Sequence, residues 1–312
     1  MADADLTRNV IYRGFVLNDE DITDNIIQGD AIGSGISGCI LEDFDLTDVD
    51  IIQWMEKRSQ QDGFDALEPF LGVRKINAVG TLYALDRNLL FDALNDLRLT
   101  MSAPLAYRDE PADKGFQPLY FSQPTNRIED YPEGIIELQV LAMPHKLRYS
   151  MTRDAAGGDD SNALAVTFQA SWVCRNPAIF SIDPVTIDLT ATVNASGTWT
   201  NRGNYHSAIN MLFVVGHDSG TITITAGGSS LVITVPSSSN DRIIRVKGAD
   251  KIVTVEELGV ESDKRSWLTF TNNTNWPMVP GGDSTYSIVF AGGIDLQGSP
   301  GDSRIWFYET YA

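Results

Sequence analysis

The chain has 312 residues, enough for about two domains of ordinary size. Its 43% hydrophobic and 21% charged content is that of a folded globular chain and excludes a disordered or fibrous one. The formal charge is −19, with 42 acidic residues against 23 basic ones. Phosphate backbones are held by Lys and Arg, so this balance excludes a dedicated nucleic-acid binder.

The acidity is concentrated early. Residues 1–50 hold twelve Asp or Glu and two Arg. Such a surface stays solvated, repels a polyanion or docks on a basic partner. Cys39 and Cys174 are the only cysteines, and neither sits in a CxxC pair. They form no disulfide framework or zinc motif and are expected to be buried free thiols. The start, MADADLTRNV, lacks a basic segment followed by an apolar core, so no secretory signal is expected. No run approaches the ~20 apolar residues that span a bilayer.

In chain order, Asn9–Asn18 (NVIYRGFVLN) reads as one short strand. A Gly-rich and acidic stretch follows. Its GSGISG (Gly33, Gly35, Gly38) fits the dinucleotide string by spelling alone. That fingerprint needs a strand before it and a helix opening within it, whereas acidic residues come next. Glu42, Asp43, Asp45, Asp48 and Asp50 offer oxygen ligands, but the Gly of a calcium loop is missing. The expectation is a solvated acidic loop.

Alternation then marks a strand, with Ile76, Ala78, Gly80 and Leu82 on one face. Lys75, Asn77, Val79, Thr81 and Tyr83 occupy the other. Asp86 is a suitable N-cap for the helix that follows. Leu90, Ala93, Leu94, Leu97 and Met101, with Leu89, form its apolar stripe, and Pro104 is expected to close it. From Pro118 the pattern is again strand-like, through GIIELQVLAM and ALAVTFQASWVC, with TRDAAGGDDSNA as a polar loop between them. CRNPAIFSIDP, with two prolines and no periodicity, reads as a domain boundary.

Beyond it short strands crowd together. TITITAGGSSLVITV is a hairpin turning at Gly227 and Gly228. RIIRVKG, KIVTVEEL, SWLTFTN, STYSIVFAG and RIWFYETY follow without a helix, which predicts an antiparallel sandwich or barrel.

Chemistry finds little support. His145, His206 and His217 form no HxH or HExxH spacing, and no G-x-S-x-G elbow exists. Paired carboxylates are unspecific among so many acids. Trp199, Tyr205, Trp267, Trp276 and Trp306 could build a sugar-stacking platform or simply fill a sandwich core and rim. Without a secretory route, the glycosylation strings at Asn194 and Asn272 are discounted. No catalytic, cofactor-binding or metal-ligating residue is singled out, and no cofactor is expected.

RKINAVGTLYALDRNLLFDALNDLR, Arg74 to Arg98, runs a strand R-x-I-x-x-x-G-x-L-Y-A directly into a helix D-R-x-x-L-x-x-A-L-x-x-L-R. This resembles the N-terminal domain of siphophage distal tail proteins, the Dit family. FQASWVCRNPAIFS is similar to the segment closing that domain. ASGTWTNRGNYHSAINMLFVVG and NWPMVPGGDSTYSIVFAGG resemble the start and end of the family's C-terminal sandwich. The resemblance spans Val73–Met101 and most of Phe168–Gly293.

The resemblance implies a mainly β protein. An N-terminal sandwich-like domain with one packed α-helix, 1–178, would form a ring. A C-terminal galectin-like or carbohydrate-module-like antiparallel sandwich, 184–312, would project outward. It further implies a non-enzymatic virion protein: a hexameric ring at the end of the tail tube, where it joins tube, tape measure and tail-tip or receptor-binding proteins. DNA would only pass through, along an acidic lumen, without membrane insertion. The protein would be made in the host cytoplasm and reside at the tail tip. The alternative is a carbohydrate-binding module for host surface glycans, which would need two or three coplanar exposed aromatics.

Overall fold

In the computed structural model, residues 8–18, 37–52, 55–57, 64–66, 70–84, 87–111, 113–151, 164–174, 176–189, 194–271, 276–297 and 302–311 are described. The chain divides into two units, Met1–Ile179 and Phe180–Ala312. Both are built from antiparallel strands, so the fold is mainly β as expected.

The first unit contains β1 (Arg8–Tyr12), β2 (Phe15–Val16), β3 (Ser37–Ile52), β4 (Met55–Lys57), β5 (Phe64–Ala66) and β6 (Phe70–Ala84). Helices α1 (Arg87–Thr100) and α2 (Ala103–Asp109) follow, then β7 (Gln117–Pro124), β8 (Ile135–Met151) and β9 (Leu164–Cys174). Strands β4 and β5 pair only with each other. The others form one path, β3-β6-β9-β8-β7-β1-β2.

That path folds over on itself at β8. Residues 135–142 of β8 pair with β7, and residues 142–151 pair with β9. A bulge between Pro144 and Lys146 bends the strand just past this handover. Aromatic contacts then cross between strands that are not neighbours. Tyr12 of β1 meets Trp172 of β9 edge-on at 5.9 Å, and its hydroxyl donates to the Ala142 carbonyl at 3.1 Å. Phe44 of β3 meets Phe121 of β7 at 5.6 Å. The two halves of the path therefore enclose a shared core, as in a sandwich.

The expected faces of β6 are observed, with Ile76, Ala78 and Leu82 buried and Lys75 and Asn77 exposed. Gly80 has no room for a side chain: an added Cβ would lie 2.6 Å from the Ile40 carbonyl and 2.9 Å from the Phe168 ring. Helix α1 buries Leu90, Leu94 and Leu97. Arg13 closes its C-terminus, donating to the Leu99 and Thr100 carbonyls at 3.2 and 3.1 Å and pairing with Asp109. Asp86, the expected N-cap, and the loop 152–163 lie outside the described residues.

Three sequence expectations change in this unit. Residues 9–18 form a hairpin instead of one strand. Arg13 (φ 49°) and Gly14 (φ 77°) make a two-residue turn, a conformation an Arg seldom adopts. Glu42, Asp43, Asp45, Asp48 and Asp50 belong to a strand instead of a loop, because Phe44 and Leu46 between them supply an inward apolar face. Pro104 does not end α1, which stops at Thr100; it sits in the first turn of α2, where a missing N–H costs nothing.

The second unit begins within β10 (Ile179–Leu189), so the predicted irregular linker is largely strand. It continues with β11 (Ala195–Asn201), β12 (Ser207–Ala208), β13 (Asn210–Val215), β14 (Gly220–Ala226), β15 (Ser229–Val235) and β16 (Arg242–Lys247). Then come β17 (Ile252–Glu257), β18 (Val260–Asp263), β19 (Leu268–Thr271), β20 (Met278–Val279), β21 (Gly282–Gly292) and β22 (Ser303–Tyr311).

Within this unit one layer runs β18-β17-β16-β13-β22-β10 and the other β11-β21-β14-β15-β19. Their inward residues form one core, including Trp199, Phe213, Ile222, Ile233, Val255 and Phe307. The hairpin turn falls at Gly227 and Gly228 with φ of 56° and 79°, and Ile224 opposes Leu231. The expected two-sheet sandwich is present.

Arg242 ties this core to its rim. Its side chain is buried, Nη1 donates to the Pro236 carbonyl at 2.6 Å, and Nη2 donates to that of Gly216 at 3.2 Å. Its guanidinium lies 5.9 Å from the Trp267 ring centre. Burial lowers its pKa from the ordinary arginine value, opposed by nearby Glu257.

Candidate functional site

The groups with catalytic potential are scattered. His145 occupies the bulge of β8, His206 lies edge-on to Tyr205 at 5.9 Å, and His217 is 3.4 Å from Asp241. Among the described residues, no three His, Cys, Asp or Glu side chains gather closely enough to hold a metal. Gly33 and Gly35 lie outside the described residues. Gly38 is a strand residue of β3 opposite Tyr83, so it opens no helix that could receive a phosphate.

Cys39 and Cys174 form no disulfide and are buried, as expected. Burial pushes the Cys174 thiol up to about 12, with Arg74 pulling in the opposite direction. Arg74 is its cross-strand partner and is itself buried, which lowers its pKa. It donates to the Pro177 carbonyl at 2.5 Å and to that of Leu46. This pair is framework. A thiolate is the reactive form, so neither cysteine should react with a disulfide reagent at pH 8 until denaturant is added. Titration with Ellman's reagent reads this directly, and one rapid equivalent from native protein would contradict it.

The aromatic residues proposed for sugar stacking separate into different environments. Trp199 is in the core, 4.7 Å from the Tyr286 ring and 5.2 Å from that of Phe307. Trp276 packs edge-on to Phe270 at 5.7 Å, and both line the same core. Trp267 is flanked by Arg242 and Lys264, while Trp306 lies under Arg304 at 5.3 Å. The outer side of the layer containing β14 instead presents threonines such as Thr198, Thr221, Thr223 and Thr225.

Two surface features stand out. The first is the outer face of β6, β9 and β8. Asn77, Val79, Lys146, Arg148, Gln169 and Ser171 line a shallow cleft of about 310 Å³ there. Strand alternation places these side chains opposite the core-facing Ala78, Leu147, Ala170 and Trp172. Lys146 and Arg148 are exposed and contact no carboxylate among the described residues.

The second is the tip of the β17–β18 hairpin. Glu257 pairs with Val260, leaving Leu258 (φ 53°) and Gly259 (φ 76°) as the turn. Leu258 is 79% exposed and Val260 is 69% exposed. A Leu forced into the left-handed region and left in water stabilises nothing inside this chain. Leu258→Asn should therefore raise the stability of the second unit by about 1 kcal/mol, because Asn tolerates this conformation. Chemical denaturation checks it, and an unchanged or lower midpoint would be the contrary result.

No family model and no curated protein matches the chain. Among solved structures, the Dit protein of phage SPP1 corresponds to it end to end. The TM-score is 0.52 at 13% sequence identity, over 98% of this chain and 99% of that one. That protein is described as a paradigm of the hub adsorption apparatus in phages infecting Gram-positive bacteria. The phage P2 baseplate in its activated conformation with Ca is more distant, at a TM-score of 0.40 and 6% identity, over 87% of this chain and 90% of that one. The fold is therefore that of a phage hub protein. In particular, it is the Dit fold.

Proposed function

We propose that the chain is a structural hub component at the distal end of a siphophage tail. The observation that carries this reading is the end-to-end correspondence with a Dit hub protein, extending across both units. In this role it catalyses nothing. The first unit, taken as 1–178, forms a ring, hexameric in this reading, that continues the tail tube. The second, taken as 184–312, projects from it and receives tail-tip or receptor-binding proteins. The tape measure ends at the ring, and DNA passes through it. The protein is made in the host cytoplasm and becomes part of the virion tail tip.

The strongly negative chain supports an acidic channel wall, which lets DNA slide without adhering. Size-exclusion chromatography with light scattering, followed by electron microscopy of the full chain, tests the reading. Closed rings with an acidic lumen are the expected result. A strict monomer at every concentration, or a basic lumen, would count against it.

A further inference from the structure

We infer that the outer face of the β3-β6-β9-β8 sheet is a contact between copies of this chain, in which the acidic β3 end of one copy meets the basic β8 end of the next. This rests on the ring reading and specifies how such a ring would close.

The strand registers lay out the charges in rows. In one row Asp45 lies opposite Asn77, Asn77 opposite Ser171, and Ser171 opposite Lys146. The next row reads Asp43, Val79, Gln169 and Arg148. Glu42 belongs to the same face, since it accepts a hydrogen bond from the Thr81 hydroxyl at 2.6 Å. Both rows therefore run from carboxylate to cation, across a middle that is polar except for Val79.

The ends of these rows do not neutralise one another within a copy. Strands β3 and β8 are separated by β6 and β9, three inter-strand spacings or about 14 Å. That exceeds the screening length of about 8 Å at physiological salt. Asp43, Lys146 and Arg148 are all exposed, and no described side chain of opposite charge contacts them. Strand β3 is also an edge: among the described strands it pairs with β6 alone. Three register shifts along it interrupt the regular ladder, and the carboxylates face outward.

Charge arithmetic selects a second copy as the occupant. Copies of a chain with net charge −19 repel one another at long range, so a local meeting of opposite charges favours their association. The two ends of this face are mutually complementary. A ring requires a heterologous contact, in which one patch of a protomer meets a different patch of its neighbour. A face-to-face pair about a two-fold axis would also match the charges, but it would bury the polar middle formed by Asn77, Gln169 and Ser171. Contact at the ends leaves that middle in water.

The test uses the full chain in two charge-reversed forms, Lys146→Glu/Arg148→Glu and Asp43→Lys/Asp45→Lys. Asp43, Lys146 and Arg148 are exposed and Asp45 is half-buried, so circular dichroism and thermal melting verify that both variants fold. Light scattering and native mass spectrometry then follow assembly against protein concentration at low and high salt. The unaltered protein should assemble less readily as salt rises. Each variant alone should need at least about tenfold more protein to assemble, since like charges then meet. An equimolar mixture should recover assembly with the two variants alternating, a rescue that damaged folding cannot produce. Oligomers that form equally well in both variants would overturn this contact and leave the ring standing. A closed dimer would overturn the head-to-tail arrangement, and a strictly monomeric unaltered protein would overturn both.

Discussion

Leu97→Asp should abolish the fold of the first unit while the second unit remains folded. Leu97 is 0% exposed, at the centre of the α1 stripe with Leu90 and Leu94. The helix lies against β6, β3 and β9, so a carboxylate there has neither water nor a partner. The cost is on the order of 4 kcal/mol, against domain stabilities of about 5–15 kcal/mol. Leu99→Asp is the matched control. Leu99 is on the same helix but exposed, and its replacement should change stability by about 0.5 kcal/mol or less. Limited proteolysis and urea unfolding read both variants. A Leu97→Asp protein that resists protease across residues 87–174 would refute this account of the packing.

Gly203→Ala should be the most damaging single-methyl change in the second unit. An added Cβ would sit 2.0 Å from the Thr310 carbonyl oxygen and 2.6 Å from both its backbone N and C. These are main-chain atoms of β22, and they cannot swing aside. The surrounding loop is held just as firmly. Asn201 accepts from the Gly203 N–H and donates to the Tyr205 and Val279 carbonyls. The Tyr205 N–H donates to the Thr310 carbonyl at 3.0 Å, and Ser207 and Thr310 share a hydrogen bond at 2.9 Å. Relief would require the loop to leave β22, at a cost of about 3 kcal/mol. The same change at Gly228, where no atom lies within 4 Å, tests the backbone conformation alone, since φ there is 79°. Thermal melts should show a much larger loss at 203 than at 228. Equal losses would mean that steric overlap is not the cause.

How much of this was legible depended on whether one signal dominated a stretch. The β6–α1 junction was clear because a period of two gives way to a period of about 3.6 within a few residues. The Gly227–Gly228 hairpin was clear because flanking alternation and turn chemistry agree. Strand β3 was missed because its charges outweighed its pattern: Phe44 and Leu46 already alternate with acids, but Asp is a poor strand former. Strand β10 was hidden by Pro184, and β18 by the brevity of VESD. The turn at Arg13 offered only one glycine, with a residue rarely found at positive φ beside it.

The proposed contact face was illegible for a different reason. Lys146, Arg148, Asp43 and Asp45 are about a hundred positions apart in the chain, and only strand register aligns them. Register is a long-range property, fixed by which faces are buried. The chain as written gives no sign that those four side chains end the same two rows.

Strand β8 has a dynamic consequence. Its 17 residues are shared, the first part hydrogen-bonded to β7 and the last part to β9, with Ala142 paired to both Gln117 and Cys174. Neither half of the first unit can open without releasing a strand that the other half also needs. The unit is thus a single cooperative block, and its amide protons on β7, β8 and β9 should exchange with deuterium together, at the rate of global unfolding. A fold of this kind passes a pull at one edge across its whole width before any part of it gives way.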